Sequence, residues 1–283
     1  MPVDQERSRL AFQRLNRQLT KLARKPVPES VHKFRTYGRR VEAFLVELIS
    51  EPTRNDKKLL KLLSRLRKKA GRVRDLDVQI VSLRNLKIPS EADRKAQLLR
   101  TLAEERSQRE KKLGKAFDPE TIGELRKRLK RAASNAEIPE NTDPLGLAMR
   151  QLAQLGRNHA PLTEKTLHQY RIVGKRARYL AELAGKNSEA ERFVEQLKRM
   201  QDVLGDWHDW LKLTQRAEGL FGGVQDSALV AALRNVTGAK FRQGVDVLTE
   251  TRAALAVKKH VATEAAASRK PPAPPGAQPE AAA

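Results

Sequence analysis

The chain has 283 residues, enough for one large domain or two of ordinary size. Its 57 Lys and Arg against 34 Asp and Glu give a formal charge of +23, an excess that a solvated surface does not require and that self-repulsion penalises, so an anionic partner is expected. The lack of cysteine excludes disulfides, thiolate metal sites and a cysteine nucleophile, and with no run of about 18 apolar residues and no apolar segment behind a basic start, neither a membrane span nor a secretory leader is expected.

Helical periodicity runs through nearly the whole chain and no useful strand alternation interrupts it, which predicts an all-α fold. A first helix is read over 4–24. Pro26 and Pro28 separate it from a second, over 29–50, that carries His32-Lys33-Phe34-Arg35-Thr36-Tyr37-Gly38-Arg39-Arg40. At 100° per residue, positions i, i+3 and i+7 lie within about 60°, so His32, Arg35 and Arg39 share one face, while Phe34, Val41, Phe44, Leu45 and Leu48 lie on another. A third helix, over 54–86, shows Lys61, Arg65, Lys68 and Arg72 as a stripe set against Leu59, Leu62, Leu66, Val73 and Leu76, with Arg74 and Asp75 following. For any single charge run a solvated face is the commoner explanation, and periodicity does not decide what this stripe faces.

Further helices are read over 90–116, behind a Ser90-x-x-Asp93 capping pattern, and over 119–135 and 144–159, where Asp118-Pro119 and Asp143-Pro144 each set an N-cap acid before a first-turn proline. The helix over 162–186 repeats the earlier motif as His168-Gln169-Tyr170-Arg171-Ile172-Val173-Gly174-Lys175-Arg176, 136 positions on. A long helix over 189–219 matches the third: Gly205 stands for Gly71, His208 for Arg74 and Asp209 for Asp75, with Lys198 and Arg199 upstream. The last helix spans 225–257, and the Ala/Pro-rich residues 258–283 are expected to form a disordered tail.

Two motif-bearing helices per half, in the same order and at nearly the same spacing, read as a tandem duplication of about 135 residues. The simplest architecture is two antiparallel bundles of about four helices, 1–140 and 141–257, related by a pseudo-twofold axis. The first half carries a net +17 and the second, tail included, +6. Gly38 and Gly174, isolated inside helices, are expected to serve close helix approach in preference to backbone access for an anion.

These segments resemble the CHAD domain (conserved histidine α-helical domain). The resemblance rests on the two His-x-x-Arg-x-x-x-[Arg/Lys]-Arg helices and on Gly71-Arg72-Val73-Arg74-Asp75-Leu76-Asp77 and Leu204-Gly205-Asp206-Trp207-His208-Asp209, and it covers nearly all of 4–257. It implies two four-helix bundles around a basic central groove that binds inorganic polyphosphate, with His32, Arg35, Arg39, Arg40, His168, Arg171, Lys175 and Arg176 as the family's positions. Arg65, Lys68, Arg72, Arg74, Lys198, Arg199 and His208, in the matching segments of the third and eighth helices, are further binding candidates. Asp202 and Asp206, where the first half has Lys68 and Arg72, set the halves apart. Glu189-Ala190-Glu191-Arg192-Phe193 lacks the lysine of the triphosphate tunnel domain that often accompanies this family.

Arginine forks pair with non-bridging phosphate oxygens, and lysine adds a compact charge. The expected function is therefore non-enzymatic binding of long-chain polyphosphate in the cytoplasm, polyphosphate granules included, with no cofactor, metal or membrane required. A nucleic-acid binder suits the charge equally, but only 4% of residues are aromatic and no reader motif is recognisable. A phosphohydrolase or phosphotransferase lacks a carboxylate metal cluster or an activated nucleophile; Asp75 and Asp209 are read as orienting arginines. His32 and His168 can donate to phosphate or serve packing, as can His208 between Trp207 and Trp210. His159 and His260 match nothing and are read as surface residues.

Overall fold

The computed structural model describes the backbone of residues 3–24, 27–88, 90–156, 161–185 and 187–267, and side chains to residue 255. Among the described residues the elements are helices α1 (Gln5–Arg24), α2 (Pro28–Glu47), α3 (Arg54–Asn85), α4 (Ala92–Gly114), α5 (Pro119–Ser134), α6 (Pro144–Gly156), α7 (Glu164–Ala181), α8 (Ser188–Phe221) and α9 (Ala228–Ala267). One isolated bridge, Val3 to Ala184, is the only β pairing among them.

Local chemistry sets most boundaries. Thr53 and Asp56 cap α3 reciprocally, the Thr53 hydroxyl accepting from Asp56 N at 3.2 Å and Asp56 Oδ2 from Thr53 N at 2.9 Å. Asp118 accepts from Thr121 N at 2.7 Å, and Asp143 from Gly146 N at 3.0 Å, as their N-cap positions require. At α4 the cap differs from expectation: Glu91, not Ser90, is the N-cap, in the left-handed region at φ 60°, and it makes no side-chain cap of its own helix. Its carboxylate instead accepts from Ser227 Oγ at 2.7 Å and Leu229 N at 2.9 Å, so a first-half residue caps α9. α9 continues to Ala267 because nothing between 253 and 267 breaks a helix, the alanines there having the best propensity for one. Of the tail expected over 258–283, residues 268–283 lie outside the described residues.

Among the described residues the first half holds five helices and the second four, α9 standing where α4 and α5 stand. Within the halves α1 packs on α2, α2 on α3 and α3 on α4 and α5, as α6 packs on α7, α7 on α8 and α8 on α9. Across the halves the matching helices meet, α2 on α7 and α3 on α8, the self-pairing that a twofold relation produces and that is compatible with duplication. Two reciprocal ion pairs reinforce it: Arg40 of α2 donates to Glu182 at 2.7 Å, and Arg176 of α7 lies 3.4 Å from Glu47.

The cores do not respect the boundary between halves. One hydrophobic cluster joins Phe12, Leu15, Phe34, Phe44 and Leu63 to Leu167, Tyr170, Phe193, Leu204 and Trp207. A second, of Leu76, Ile80, Leu83, Leu98 and Leu102 with Leu213, Ala217, Leu229, Val230 and Leu233, is built jointly at the far ends of α3 and α8. Those two helices, 32 and 34 residues long, or about 48 and 51 Å, therefore pack in their own halves first and against each other last. Gly38 and Gly174 serve helix approach: a Cβ on Gly38 would meet Leu63 at 3.3 Å, and one on Gly174 would overlap the Met200 methyl. No helix among the described residues is long and apolar enough to cross a membrane.

Candidate functional site

Where α2 and α3 meet α7 and α8, a cleft of about 150 Å³ opens. α2 lines it with His32, Arg35, Thr36 and Arg39, α3 with Arg74, Asp75 and Val78, α7 with Arg171, Lys175 and Tyr179, and α8 with Gly205 and Asp209. The i, i+3, i+7 face of the motif thus reaches one site from both α2 and α7, because the apolar residues on the opposite faces are committed to the shared core. Thr163 fixes the start of α7 by accepting from Thr166 N at 3.3 Å.

Six cationic or basic side chains face two carboxylates there, and burial strains the cations. Arg35, whose side chain is 18% exposed, has its pKa lowered by desolvation although Asp75 lies 3.8 Å away. It reaches this position over Gly71, where a Cβ would overlap its guanidinium. Desolvation also lowers Arg39, with Arg67 beside it, and Arg171, which Asp209 and Asp75 partly offset. The Nε of Arg171 is buried and has no hydrogen-bond partner. Lys175 is the most perturbed cation: burial, then Arg171, Arg39 and Arg35, bring its pKa to about 7. Burial pushes the Asp209 carboxyl up to about 6, despite Arg171. An arrangement that desolvates cations and leaves a donor unpaired is one that an anion would complete.

The histidines occupy different places. His32 stands at the exposed rim, its pKa lowered by loss of hydration on its cleft side and then by Arg74, Arg35, Arg178 and Lys175. His168 lies beside the cleft with its ring 5.1 Å from that of His208, and desolvation followed by Arg171, Lys212 and Lys175 lowers its pKa. His208 is held neutral, near pKa 3, by burial, Arg171 and His168. Its ring centroid is 6.1 Å from that of buried Trp207, and its buried Nδ1 has no hydrogen-bond partner among the described residues.

The remaining candidates do not converge on the cleft. Arg40 and Arg176 form the ion pairs between halves, Arg40 also lying over the Tyr37 ring at 5.4 Å. Arg65, Lys68 and Arg72 are exposed on another face of α3. Lys198 pairs with Glu195 at 3.5 Å and Arg199 with Glu250 at 3.1 Å, both outside the cleft. His159 and His260 fall outside the described side chains. Cations that the sequence pattern does not single out also adjoin the site: Arg67, bonded to Glu42 and beside Arg35 and Arg39, Arg178 near His32, and Lys212 near His168 and His208. Gly71 was the available signal, since a glycine four residues past Arg67 marks the face of α3 packed against a neighbour. No group of three or more His, Cys, Asp or Glu among the described residues could hold a metal ion.

The fold is similar to that of a solved structure, the crystal structure of the CHAD domain from the plant Ricinus communis, matched over 90% of this chain and 93% of that one with a TM-score of 0.63. At 17% identity the likeness shows a shared fold. No curated protein matches the chain. The CHAD domain family model, however, matches residues 7–218, which takes in both halves of the cleft, and the chain belongs to the CHAD domain family.

Proposed function

We propose that the protein binds long-chain inorganic polyphosphate in the cleft between its halves, as a binding module without catalysis. The carrying observation is the convergence of His32, Arg35, Arg39, Arg74, Arg171 and Lys175 from four helices onto one narrow cleft where only Asp75 and Asp209 oppose them. Desolvated arginines are matched by a ligand whose every unit offers non-bridging oxygens, and a polymer of identical units needs no shape to be read. The family membership supports this reading, and so does the poverty of aromatic surface: Tyr179, the one aromatic residue lining the cleft, is buried and offers no platform for a base. A cytoplasmic location, at polyphosphate granules, goes with it.

A competition assay tests the proposal. Labelled long-chain polyphosphate, once bound, is challenged with unlabelled polyphosphate, triphosphate, ATP, duplex DNA and single-stranded RNA. Polyphosphate alone is expected to displace the label at low concentration. Equal displacement by triphosphate or ATP would indicate a compact site, and by DNA or RNA a nucleic-acid binder. Incubation with magnesium or manganese is expected to release no orthophosphate, and release would establish an enzyme.

A further inference from the structure

From Lys57 to Arg74, α3 contains nine basic residues and no acid. Lys57, Lys61, Arg65, Lys68 and Arg72 are all exposed, fall within about 80° of arc at 100° per residue, and run for about 22 Å along the helix. None of the five forms an ion pair among the described residues. On other exposed helix faces some cations are neutralised at i, i+4 spacing, as in Lys33 with Glu29, Arg109 with Glu105 and Arg128 with Glu124. Like charges at that spacing weaken a helix, so an uninterrupted row is a standing cost to α3.

The second half supplies an internal control. At the offset of 134 that aligns Gly71 with Gly205, the positions matching the row are Glu191, Glu195, Arg199, Asp202 and Asp206. Four of the five carry the opposite charge in the matching helix of the second half, and Arg199 and Asp206 are paired, with Glu250 at 3.1 Å and Lys240 at 2.8 Å. The fold therefore has no need of cations at this register. The row also adjoins the cleft. It is centred roughly 110° around α3 from the line of Arg67, Gly71, Arg74 and Val78, and Arg72 directly follows Gly71, over which Arg35 lies.

We infer that this row on α3 is a second, one-sided polyanion site, a track along which a polyphosphate chain leaving the cleft continues over the first half. The inference rests on the polyphosphate reading of the cleft and adds the length of chain engaged and the side on which it emerges. Short chains occupy the cleft alone; chains long enough to turn over Gly71 gain contacts with Arg72, Lys68, Arg65 and Lys61 in succession.

The test is a chain-length series, from triphosphate upward, titrated against the wild type, against Lys61→Gln/Arg65→Gln/Lys68→Gln/Arg72→Gln, and against a control of equal charge, Lys111→Gln/Lys112→Gln/Lys165→Gln/Arg192→Gln. All eight side chains are exposed, and circular dichroism verifies the fold. The row variant should bind triphosphate within twofold of wild type, bind long chains at least tenfold more weakly, and lose about 3 from the slope of log K against log salt. The control should keep the wild-type length profile. A row variant that matches wild type on long chains at every salt concentration overturns the track. Loss of duplex DNA binding with polyphosphate binding intact overturns the choice of ligand for the row. Failure of the wild type to bind polyphosphate of any length would instead bring down the cleft reading.

Discussion

A lysine that is half neutral at pH 7 makes the cleft a proton-linked site, and Lys175 is where that linkage can be measured. Its pKa in the free cleft is about 7, against the ordinary 10.5, because of burial and then Arg171, Arg39 and Arg35. Phosphate laid beside it favours the ammonium form. If the bound value returns to the ordinary one, binding at pH 7.5 takes up about 0.8 proton here, and affinity falls about 50-fold between pH 7 and pH 9. Asp209, with its carboxyl near 6, gains its negative charge below this window, and His32 and His168, held under the usual histidine value, also discharge below it. All three push affinity in the same direction, down with rising pH, so the window above pH 7 isolates Lys175. Calorimetric titrations with long-chain polyphosphate, in buffers of different ionisation enthalpy, give the proton count directly. Lys175→Arg, which stays charged, should flatten the profile above pH 7. Proton uptake near zero at pH 7.5, or an unchanged slope in Lys175→Arg, would refute the reasoning.

Three of the five Arg and Lys side chains lining the cleft come from the first half and Lys175 is half neutral, so Arg35→Ala/Arg39→Ala should weaken polyphosphate binding more than Arg171→Ala/Lys175→Ala. At about 1.5–3 kcal/mol for each charge-assisted contact the first pair should lose a hundredfold or more, with circular dichroism unchanged; a larger loss in the second pair would reverse the order. Asp209→Asn should tighten binding several-fold at pH 7.5 and change little at pH 5, whereas weaker binding would make Asp209 the residue that holds Arg171. Gly71→Ala should displace Arg35 and lower affinity about tenfold, and Arg35→Ala on top of it should add little, a non-additivity that a double-mutant cycle reads. Because the folded pKa of Lys175 lies below the unfolded one, its burial costs stability most at and below pH 7, and the cost fades toward pH 10. Lys175→Met should accordingly raise the thermal midpoint of the free protein at pH 7, by an amount that shrinks as pH rises, while weakening binding.

Helix periodicity and proline punctuation made nearly every helix legible, and the i, i+3, i+7 face of the repeated motif placed Arg35, Arg39, Arg171 and Lys175 together. The final basic residue of each motif lies outside the cleft for a geometric reason: Arg40 and Arg176 sit 100° round from Arg39 and Lys175, enough to turn them to a carboxylate of the other half. On α3 the pattern favoured the stripe with most charges, but which face meets a neighbour depends on packing between helices far apart in sequence. Arg67 and Arg74 face that neighbour, and Arg65, Lys68 and Arg72 do not. Nor could composition show that Glu91 would leave its own helix uncapped to cap α9, since that bond links residues 136 and 138 apart.

The Arg40 to Glu182 bond spans 142 positions, which has a consequence for how the molecule comes to fold. Short-range helix pairs within each half form at little loop-closure cost, but the cleft exists only after two basic helix pairs dock across a loop of that length. Docking brings Arg35 and Arg39 toward Arg171 and Lys175 against their mutual repulsion, so the late step of refolding should run faster as ionic strength rises and faster still with polyphosphate present. A polyanion that screens this repulsion would then act as a template for the site that afterwards holds it.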